Sequence, residues 1–509
     1  MTDAVTPALS MEGISKRFGT LLANDDISLR LGRGEVLALL GENGAGKTTL
    51  MNVLFGHYMP DSGSVTVDGR PLPLGRPRAA IRAGVGMVHQ HFTLAGNLTV
   101  LENVMAGTES LLRPASRTAA ARAKLAALAD RFGLPADPDA RTGDLSVGQQ
   151  QRVEILKALY NEARILILDE PTAVLTGPEA EGLFAALRGM AAEGLSVIFI
   201  SHKLQEVMSA SDRVVVLRAG RVAAERVTAR TSKAELAELM VGRRVERPRK
   251  GDTARGAKRL EARGLRLARD GRQVLDGAEF AVHRGEVLGI IGVSGNGQGA
   301  LADLLSGLGR PDAGAILLEG TSIRGLGPRA LRRLGVGRIP EDRNRDGAIG
   351  DLSLWENAVL ERIDDPRFSR RGVVRAGAAR AFCKAVIERF DVRGGTPDSP
   401  TRLLSGGNMQ KLIFGRTLSD APKLLLAAQP TRGLDEGAIA AVHGEILAAR
   451  NGGAAVLLIS EDLDEVLALA DRVQAIFRGR LSPPVAAEGL DARRLGLMMA
   501  GEWERQDAV

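Results

Sequence analysis

Gly41-Glu42-Asn43-Gly44-Ala45-Gly46-Lys47-Thr48 decides the fold of this chain: it is a complete G-x-x-x-x-G-K-[ST] loop, and the apolar run Val36-Leu37-Ala38-Leu39-Leu40 feeds into it. Glycines at these spacings let backbone N–H groups converge on phosphate oxygens at the start of a helix, where the helix dipole favours an anion. A helix is predicted to start around Lys47, whose ammonium would reach terminal phosphates, with the Thr48 hydroxyl placed to bind Mg²⁺. Downstream, the apolar run Ile165-Leu166-Ile167-Leu168 is closed by Asp169-Glu170. Asp169 can hold Mg²⁺ directly or through water, and Glu170 can orient or deprotonate an attacking water. Alone, such an acidic pair reads equally as a helix cap or a surface turn; the loop in register is what makes it a candidate site.

The same motifs recur further along. Arg33-Gly34-Glu35-Val36-Leu37 matches Arg284-Gly285-Glu286-Val287-Leu288 at an offset of 251, which holds through Val85-Gly86 and Val336-Gly337. Leu145-Ser146 and Leu404-Ser405, Pro171-Thr172 and Pro430-Thr431, and Met240 with Gly242 against Met499 with Gly501 all match at 259. A match of this length is a duplication. The second copy gains eight residues, which are expected between the Trp355-Glu356-Asn357 block and Leu404-Ser405. Its loop reads Gly292-Val293-Ser294-Gly295-Asn296-Gly297-Gln298-Gly299 and its acidic pair reads Ala428-Gln429, so lysine, hydroxyl and both carboxylates are gone. The chain therefore carries one working site and one relic. The expected domains are 1–242 and 259–509, joined by a basic, polar linker over 243–258 without apolar periodicity.

With 509 residues the chain suits two cores. Net charge is +7, but the Arg is spread through Ala/Gly/Arg-rich sequence without interleaved aromatics, which reads as a solvated basic surface and not as a nucleic-acid interface. The single cysteine, Cys383, excludes an internal disulfide and fits a reducing compartment. Met1-Thr2-Asp3-Ala4-Val5 opens no secretory signal, and no run approaches 18 apolar residues, so any membrane link is expected to come through a partner. Within the first copy, the runs ending at Leu168 and at Ile200 flank a helical stretch from Glu179 to Met190, the pattern of parallel strands covered on both faces. From about His91 to Leu159 the sequence turns helical, with Ala119 to Phe132 rich in Ala, Leu and Arg, which reads as a helical insert in an α/β core.

Leu145-Ser146-Val147-Gly148-Gln149-Gln150-Gln151-Arg152, preceding Asp169-Glu170-Pro171-Thr172, resembles the signature of ABC ATPases, and the resemblance covers nearly the whole chain. It implies an α/β fold of two ABC-type P-loop NTPase domains in tandem, each a RecA-like core with an antiparallel β subdomain and a helical insert. It also implies ATP and Mg²⁺ as cofactors. On the family pattern Gln90 resembles the Q-loop glutamine, His202 the switch histidine and Phe18 the aromatic that stacks on adenine. The implied catalytic set is Glu170, His202, Lys47 and Gln90, with Thr48, Gln90 and Asp169 at the metal. Nucleotide would be held by Phe18, Gly41, Glu42, Asn43, Gly44, Ala45, Gly46, Lys47, Thr48 and Thr49.

In that family two such domains face head to tail, so each ATP lies between the phosphate loop of one and the signature of the other. The intact loop would then face Ser405, Gly406 and Gly407 of the second signature, with Asp435 nearby. The first signature, facing the damaged loop, has Val147 where the family has glycine, and Thr176 where the second half keeps Asp435. Decay is thus sorted by composite site and not by domain. Glu461 replaces the switch histidine and Glu341 stands where Gln90 does.

The resemblance implies the ATPase of a membrane importer, peripheral at the cytoplasmic face of the cell membrane. Its partners would be two integral-membrane permease subunits, non-identical because the inserts of the two halves differ, and an extracytoplasmic substrate-binding protein; nucleic acid is not expected. A soluble ribosome-associated tandem ATPase usually keeps both sites and a long charged helical linker, and a DNA-repair ATPase would need zinc cysteines or coiled coils; these features are missing. The fused pair with a degenerate second half is similar to the monosaccharide and nucleoside importer group. Val88-His89-Gln90-His91-Phe92 and Ala427-Ala428-Gln429-Pro430-Thr431 lean to its nucleoside branch, with a ribose- or galactose-type sugar importer as the alternative.

Overall fold

The structure, a computed structural model, describes residues 6–19, 21–89, 92–108, 118–172, 175, 177–242, 248–251, 253–269 and 271–505. Gln90, His91 and Thr176 therefore lie outside the described residues. The chain forms two compact units that divide near residue 245.

In the first unit a mainly parallel sheet has the strand order Arg221–Val227, Arg213–Arg218, Val36–Gly41, Ser196–Ser201, Ile165–Asp169, Val85–Val88. Beside it is an antiparallel sheet ordered Leu21–Leu31, Leu9–Phe18, Ser62–Val67, Arg70–Pro71. Val36–Gly41 is buried along its whole length because it separates two cores. Val36, Ala38 and Leu40 pack with the helices of one layer, and Leu37 and Leu39 pack with the antiparallel sheet and the helix Lys47–Phe55. The predicted insert is present as helices Val100–Met105, Thr118–Phe132 and Val147–Tyr160.

The second unit repeats the plan. Its larger sheet runs Val336–Ile339, Leu424–Ala428, Ala455–Ser460, Val287–Ile291, Arg472–Phe477, Arg480–Leu481, and its antiparallel sheet Arg272–His283, Lys258–Arg269, Ala313–Leu318, Thr321–Ser322. The described part of the expected linker lies along this unit. Lys250 Nζ donates to Ala470 O at 2.5 Å, Gly251 O accepts from Arg450 Nη1 at 2.8 Å, and Gly256 N donates to Arg284 O at 2.9 Å.

The eight extra residues of the second half are not in one place, which corrects the sequence expectation. Thr99 with Glu102 and Ser353 with Glu356 form matching capping boxes, each followed by a buried asparagine, Asn103 or Asn357, whose Nδ2 donates to Thr142 Oγ1 (3.1 Å) or Thr401 Oγ1 (2.8 Å). Thr99 to Ser353 is an offset of 254, three more than 251 and five short of 259. Three residues were therefore gained before the box, in the stretch containing the turn Arg343–Gly347. Five were gained after it, in the stretch holding Leu360–Arg362 and the hairpin of Ser369–Arg370 with Val373–Val374. The two boxes share only Glu-Asn by letter, and the equivalence lies in their hydrogen bonds, so sequence identity could not place the boundary.

Candidate functional site

The phosphate loop leaves the strand Val36–Gly41 and turns into the helix Lys47–Phe55 through Gly46, whose φ of 96° lies in the left-handed region. A Cβ on Gly46 would stand 2.3 Å from Ala23 O, so only glycine fits there. Asn24, fully buried, donates from Nδ2 to Gly46 O at 3.0 Å and fastens the turn. Lys47 is buried under the loop, its Nζ donating to Gly41 O (2.7 Å) and Glu42 O (2.9 Å). Burial lowers its pKa, with Glu170 and Asp169 opposing.

Asp169 ends its strand 3.5 Å from Thr48 Oγ1. Burial, with Glu170 adding, pushes its carboxyl from 3.8 to about 6, while Thr48 and Lys47 act against it. Glu170 adopts φ 48°, left-handed for a non-glycine residue, and its N–H donates to Ile200 O at 3.1 Å. This bend turns its carboxylate toward His202, whose Nδ1 lies 3.2 Å from Glu170 Oε1. Burial raises the Glu170 pKa, but His202, Lys47 and Lys203 together outweigh it and hold the carboxyl below its ordinary value. Phe18 ends the strand Leu9–Phe18, 42% exposed, in a T-shaped contact with Tyr58 and with Lys16 Nζ 5.4 Å over its ring centroid. Thr49 follows in the first turn of the phosphate-loop helix.

The second unit keeps the scaffold and loses the chemistry. Gly297 has φ 115°, and Gln298 Nε2 donates to Val293 O at 2.8 Å, in the place of the bond from Lys47 to Glu42 O. Gln429 retains the left-handed bend (φ 46°) and its N–H donates to Ile459 O, although no carboxylate remains to aim. The pocket here is lined by Ser294, Gln298, Glu341, Ala428, Gln429 and Glu461. Glu461 thus replaces the imidazole of His202 and the neutral Gln298 the ammonium of Lys47, while the carboxylates of Asp169 and Glu170 give way to Ala428 and Gln429. Burial raises the Glu461 pKa, with Glu341 adding and Arg432 opposing, and Arg432 pairs with Glu341 at 2.7 Å.

Ser405 caps the helix Gly406–Leu418, its Oγ accepting from Asn408 N (3.4 Å) and from Asn408 Nδ2 (2.9 Å), with Gly407 in the same first turn. Gln410 Nε2 donates to Pro430 O at 2.8 Å and ties this helix to the segment after the strand Leu424–Ala428; Gln151 and Pro171 make the same link in the first unit. Asp435 immediately precedes the helix Glu436–Asn451.

The first unit thus brings together Lys47, Thr48, Asp169, Glu170 and His202. Sequence reading missed Asn24, which matches Leu275 at the offset of 251 and so differs between the halves like the motif residues do. It also missed Glu206, a buried carboxylate that accepts from Ser201 Oγ at 2.7 Å and from Thr172 Oγ1, linking the strand before His202 to the segment after Glu170.

A profile of the ABC transporter family matches residues 24–173 and 275–432, covering both phosphate loops and more than half the chain. The chain belongs to the ABC transporter family. It is similar along its full length to ATP-binding proteins of importers. A glucose import ATP-binding protein, TsgD13, of Haloferax volcanii is 44% identical, covering 97% of this chain and 96% of the relative. The guanosine import ATP-binding protein NupO of Bacillus subtilis is 43% identical with 98% of each covered, and the nucleoside import ATP-binding protein NupA of Lactococcus lactis is 41% identical with 97% and 98% covered. These relatives place it in the monosaccharide and nucleoside importer group, as an ATP-binding protein that hydrolyses ATP.

Proposed function

We propose that the chain energises a nucleoside importer through a single hydrolytic site, built from the first half's phosphate loop and the second half's signature. The observation that carries this reading is the contrast between the Glu170–His202 pair with its buried Lys47 and the Gln429, Glu461 and Gln298 found at the matching positions. Lys47 and the N–H groups of residues 42–49 hold the phosphates of ATP, and Phe18 stacks on the base. Thr48 and Asp169, two hard oxygen donors side by side, fit Mg²⁺, with Gln90 as a further ligand. Bound there, Mg²⁺ would neutralise charge on the phosphate oxygens. Glu170 takes a proton from the attacking water, and His202 orients that carboxylate and keeps it ionised. Ser405, Gly406, Gly407 and Asp435 close over the terminal phosphate from the other half.

The second site carries no useful hydrolysis. Loss of one preorganised donor costs about 10²–10³ in rate, and here lysine, hydroxyl and both carboxylates are replaced together. Among the described residues no helix is long and apolar enough to cross a membrane, so membrane contact runs through partners at the cytoplasmic face. These are two permease subunits and a substrate-binding protein outside. The turn Arg343–Gly347 and the hairpin at Ser369–Val374 give the second insert a relief of its own, which fits two non-identical permeases.

Nucleoside cargo is supported by the guanosine and nucleoside relatives and by Gln429, which stands where sugar carriers tend to keep a glutamate. The glucose relative favours sugar as the second reading. Uptake of labelled guanosine, glucose and ribose by cells carrying the wild-type chain or Glu170→Gln decides between them. Guanosine uptake lost in the variant is expected, and loss of sugar uptake alone overturns the nucleoside assignment. Cell fractionation tests the ribosome-associated alternative, since an importer ATPase follows the membrane pellet.

A further inference from the structure

Three residues without counterpart in the first half lie in the stretch that carries Arg343. The turn Arg343–Gly347 is fixed at both ends. Asp342 caps it, its carboxylate accepting from Asn344 N (2.9 Å) and Arg345 N (3.0 Å). At the other end Gly347 O accepts from Nη2 of Arg416, a buried residue of the signature helix Gly406–Leu418, at 2.6 Å. Held this way, the Arg343 side chain lies against the signature. Its Nη1 donates to Arg432 O at 2.6 Å, its Nη2 would be 2.7 Å from a Cβ on Gly406, and the same nitrogen would be 3.5 Å from a Cβ on Gly433. The guanidinium thus occupies the space that a side chain at residue 406 would take, whereas Val147 at the matching place is 41% exposed.

Among the described residues Arg343 makes no ion pair, and its Nε is buried without a hydrogen-bond partner. Asp342 gives the half-buried guanidinium a nearby opposite charge and Arg432 a like one, and its hydrogen bond goes only to a carbonyl, so a charge taken out of water is incompletely compensated. Its neighbours define the missing partner. They are Gly406, in the first turn of the signature helix next to its cap Ser405, and Gly433, two residues before Asp435, and the paired-site reading sets these segments against the terminal phosphate of ATP.

We propose that Arg343 contacts the terminal phosphate of the ATP held on the Lys47 loop, as an arginine supplied to the working site by the degenerate half. This rests on the paired site proposed above. The planar fork suits a phosphate edge, and an arginine delivered from outside the phosphate loop stabilises the charge that develops on a transferring phosphoryl group. It also gives the inactive half a catalytic contribution beyond the signature itself.

The test uses the full-length chain, measuring ATP turnover and the affinities for ATP and ADP in wild type, Arg343→Ala, Arg343→Met, Arg343→Lys and Ser405→Arg. Arg343→Met keeps the packing against Gly406, so an unchanged melting temperature shows that the fold is intact. Arg343→Ala and Arg343→Met are expected to lower kcat by about 10²-fold and to weaken ATP, but not ADP, which lacks the terminal phosphate. Arg343→Lys is expected to recover part of the loss. A kcat and an ATP-to-ADP affinity ratio within twofold of wild type in Arg343→Met, with Ser405→Arg inactive, overturns the role of Arg343 and leaves the paired site standing. Equal weakening of ATP and ADP also overturns it. Full hydrolysis by Ser405→Arg overturns the paired site, and the role of Arg343 with it.

Discussion

The imidazole Nδ1 of His202 stands 3.2 Å from Glu170 Oε1, and a left-handed backbone at Glu170 holds the carboxylate there. His202 thus has two effects on the base: it fixes its direction and helps to keep its pKa low against burial. A base works only when ionised, so its pKa sets the acid limb of the rate profile. His202→Ala is expected to lower kcat by about 10²–10³ and to move the acid limb of kcat to higher pH. Glu170→Gln should remove that limb along with turnover while ATP binding persists. A pH profile of ATPase activity for the three proteins checks this.

Asp169 behaves in the opposite sense. Burial raises its pKa from 3.8 to about 6, so without a bound cation ionisation is unfavourable in the fold, and the stability that the neutral acid supplies is lost as pH rises through 6. The carboxylate is nevertheless the form that a cation needs. Binding of Mg²⁺ with nucleotide is expected to weaken as pH falls below about 6 and to release a proton near that pH. Asp169→Asn should stabilise the free chain at pH 7.5 by roughly 1–3 kcal/mol, since each tenfold change in an acid's ionisation constant is worth about 1.4 kcal/mol. The same variant should lose the rise in melting temperature that Mg²⁺ and ATP produce together.

Asn24 is the support that the motifs do not name. Its amide holds Gly46 O at 3.0 Å, and the matching residue of the second half is Leu275, which is fully buried in the same place. Asn24→Leu is therefore expected to fold with a melting temperature close to that of wild type, because the site already accepts leucine once. The loop turn loses one hydrogen bond, worth about 1 kcal/mol. ATP affinity measured by titration should fall about fivefold, by that same 1 kcal/mol.

The strands and the phosphate-loop helix were legible because glycines, a lysine and apolar runs mark them by letter, and Asp169, Glu170 and His202 were legible because each follows an apolar strand. What escaped was set by hydrogen bonding between segments far apart in sequence. Asn24 lies outside any motif and acts 22 residues away. The boundary of the extra residues rests on the networks around Asn103 and Asn357. The polar stretch expected as a linker shows no apolar pattern, yet Gly251 and Gly256 offer backbone groups to Arg450 and Arg284, a fixation that composition does not express.

The second insert should respond to change at one buried arginine far more than the first does at the matching place. Arg416, 2% exposed on the signature helix, donates to Asn357 O at 3.1 Å, to Gly347 O at 2.6 Å and to Glu361 Oε1 at 2.8 Å, while Arg362, equally buried, donates to Arg416 O and pairs with Asp420 at 3.0 Å. The matching residue of the first half is Lys157, and no residue there corresponds to the five-residue gain beside Arg362. Removing Arg416 leaves the carbonyls of Asn357 and Gly347 without their donor, at about 1–3 kcal/mol each. Arg416→Ala is expected to destabilise the second unit by that amount and to free Gly347, loosening the turn that carries Arg343. Lys157, half-buried, makes no side-chain ion pair among the described residues, so Lys157→Ala should change stability by less than about 1 kcal/mol. Urea unfolding of the two variants measures the difference. Hydrogen exchange should show faster opening over residues 343–362 in Arg416→Ala and none of it in Lys157→Ala; equal costs at the two positions would refute the asymmetry.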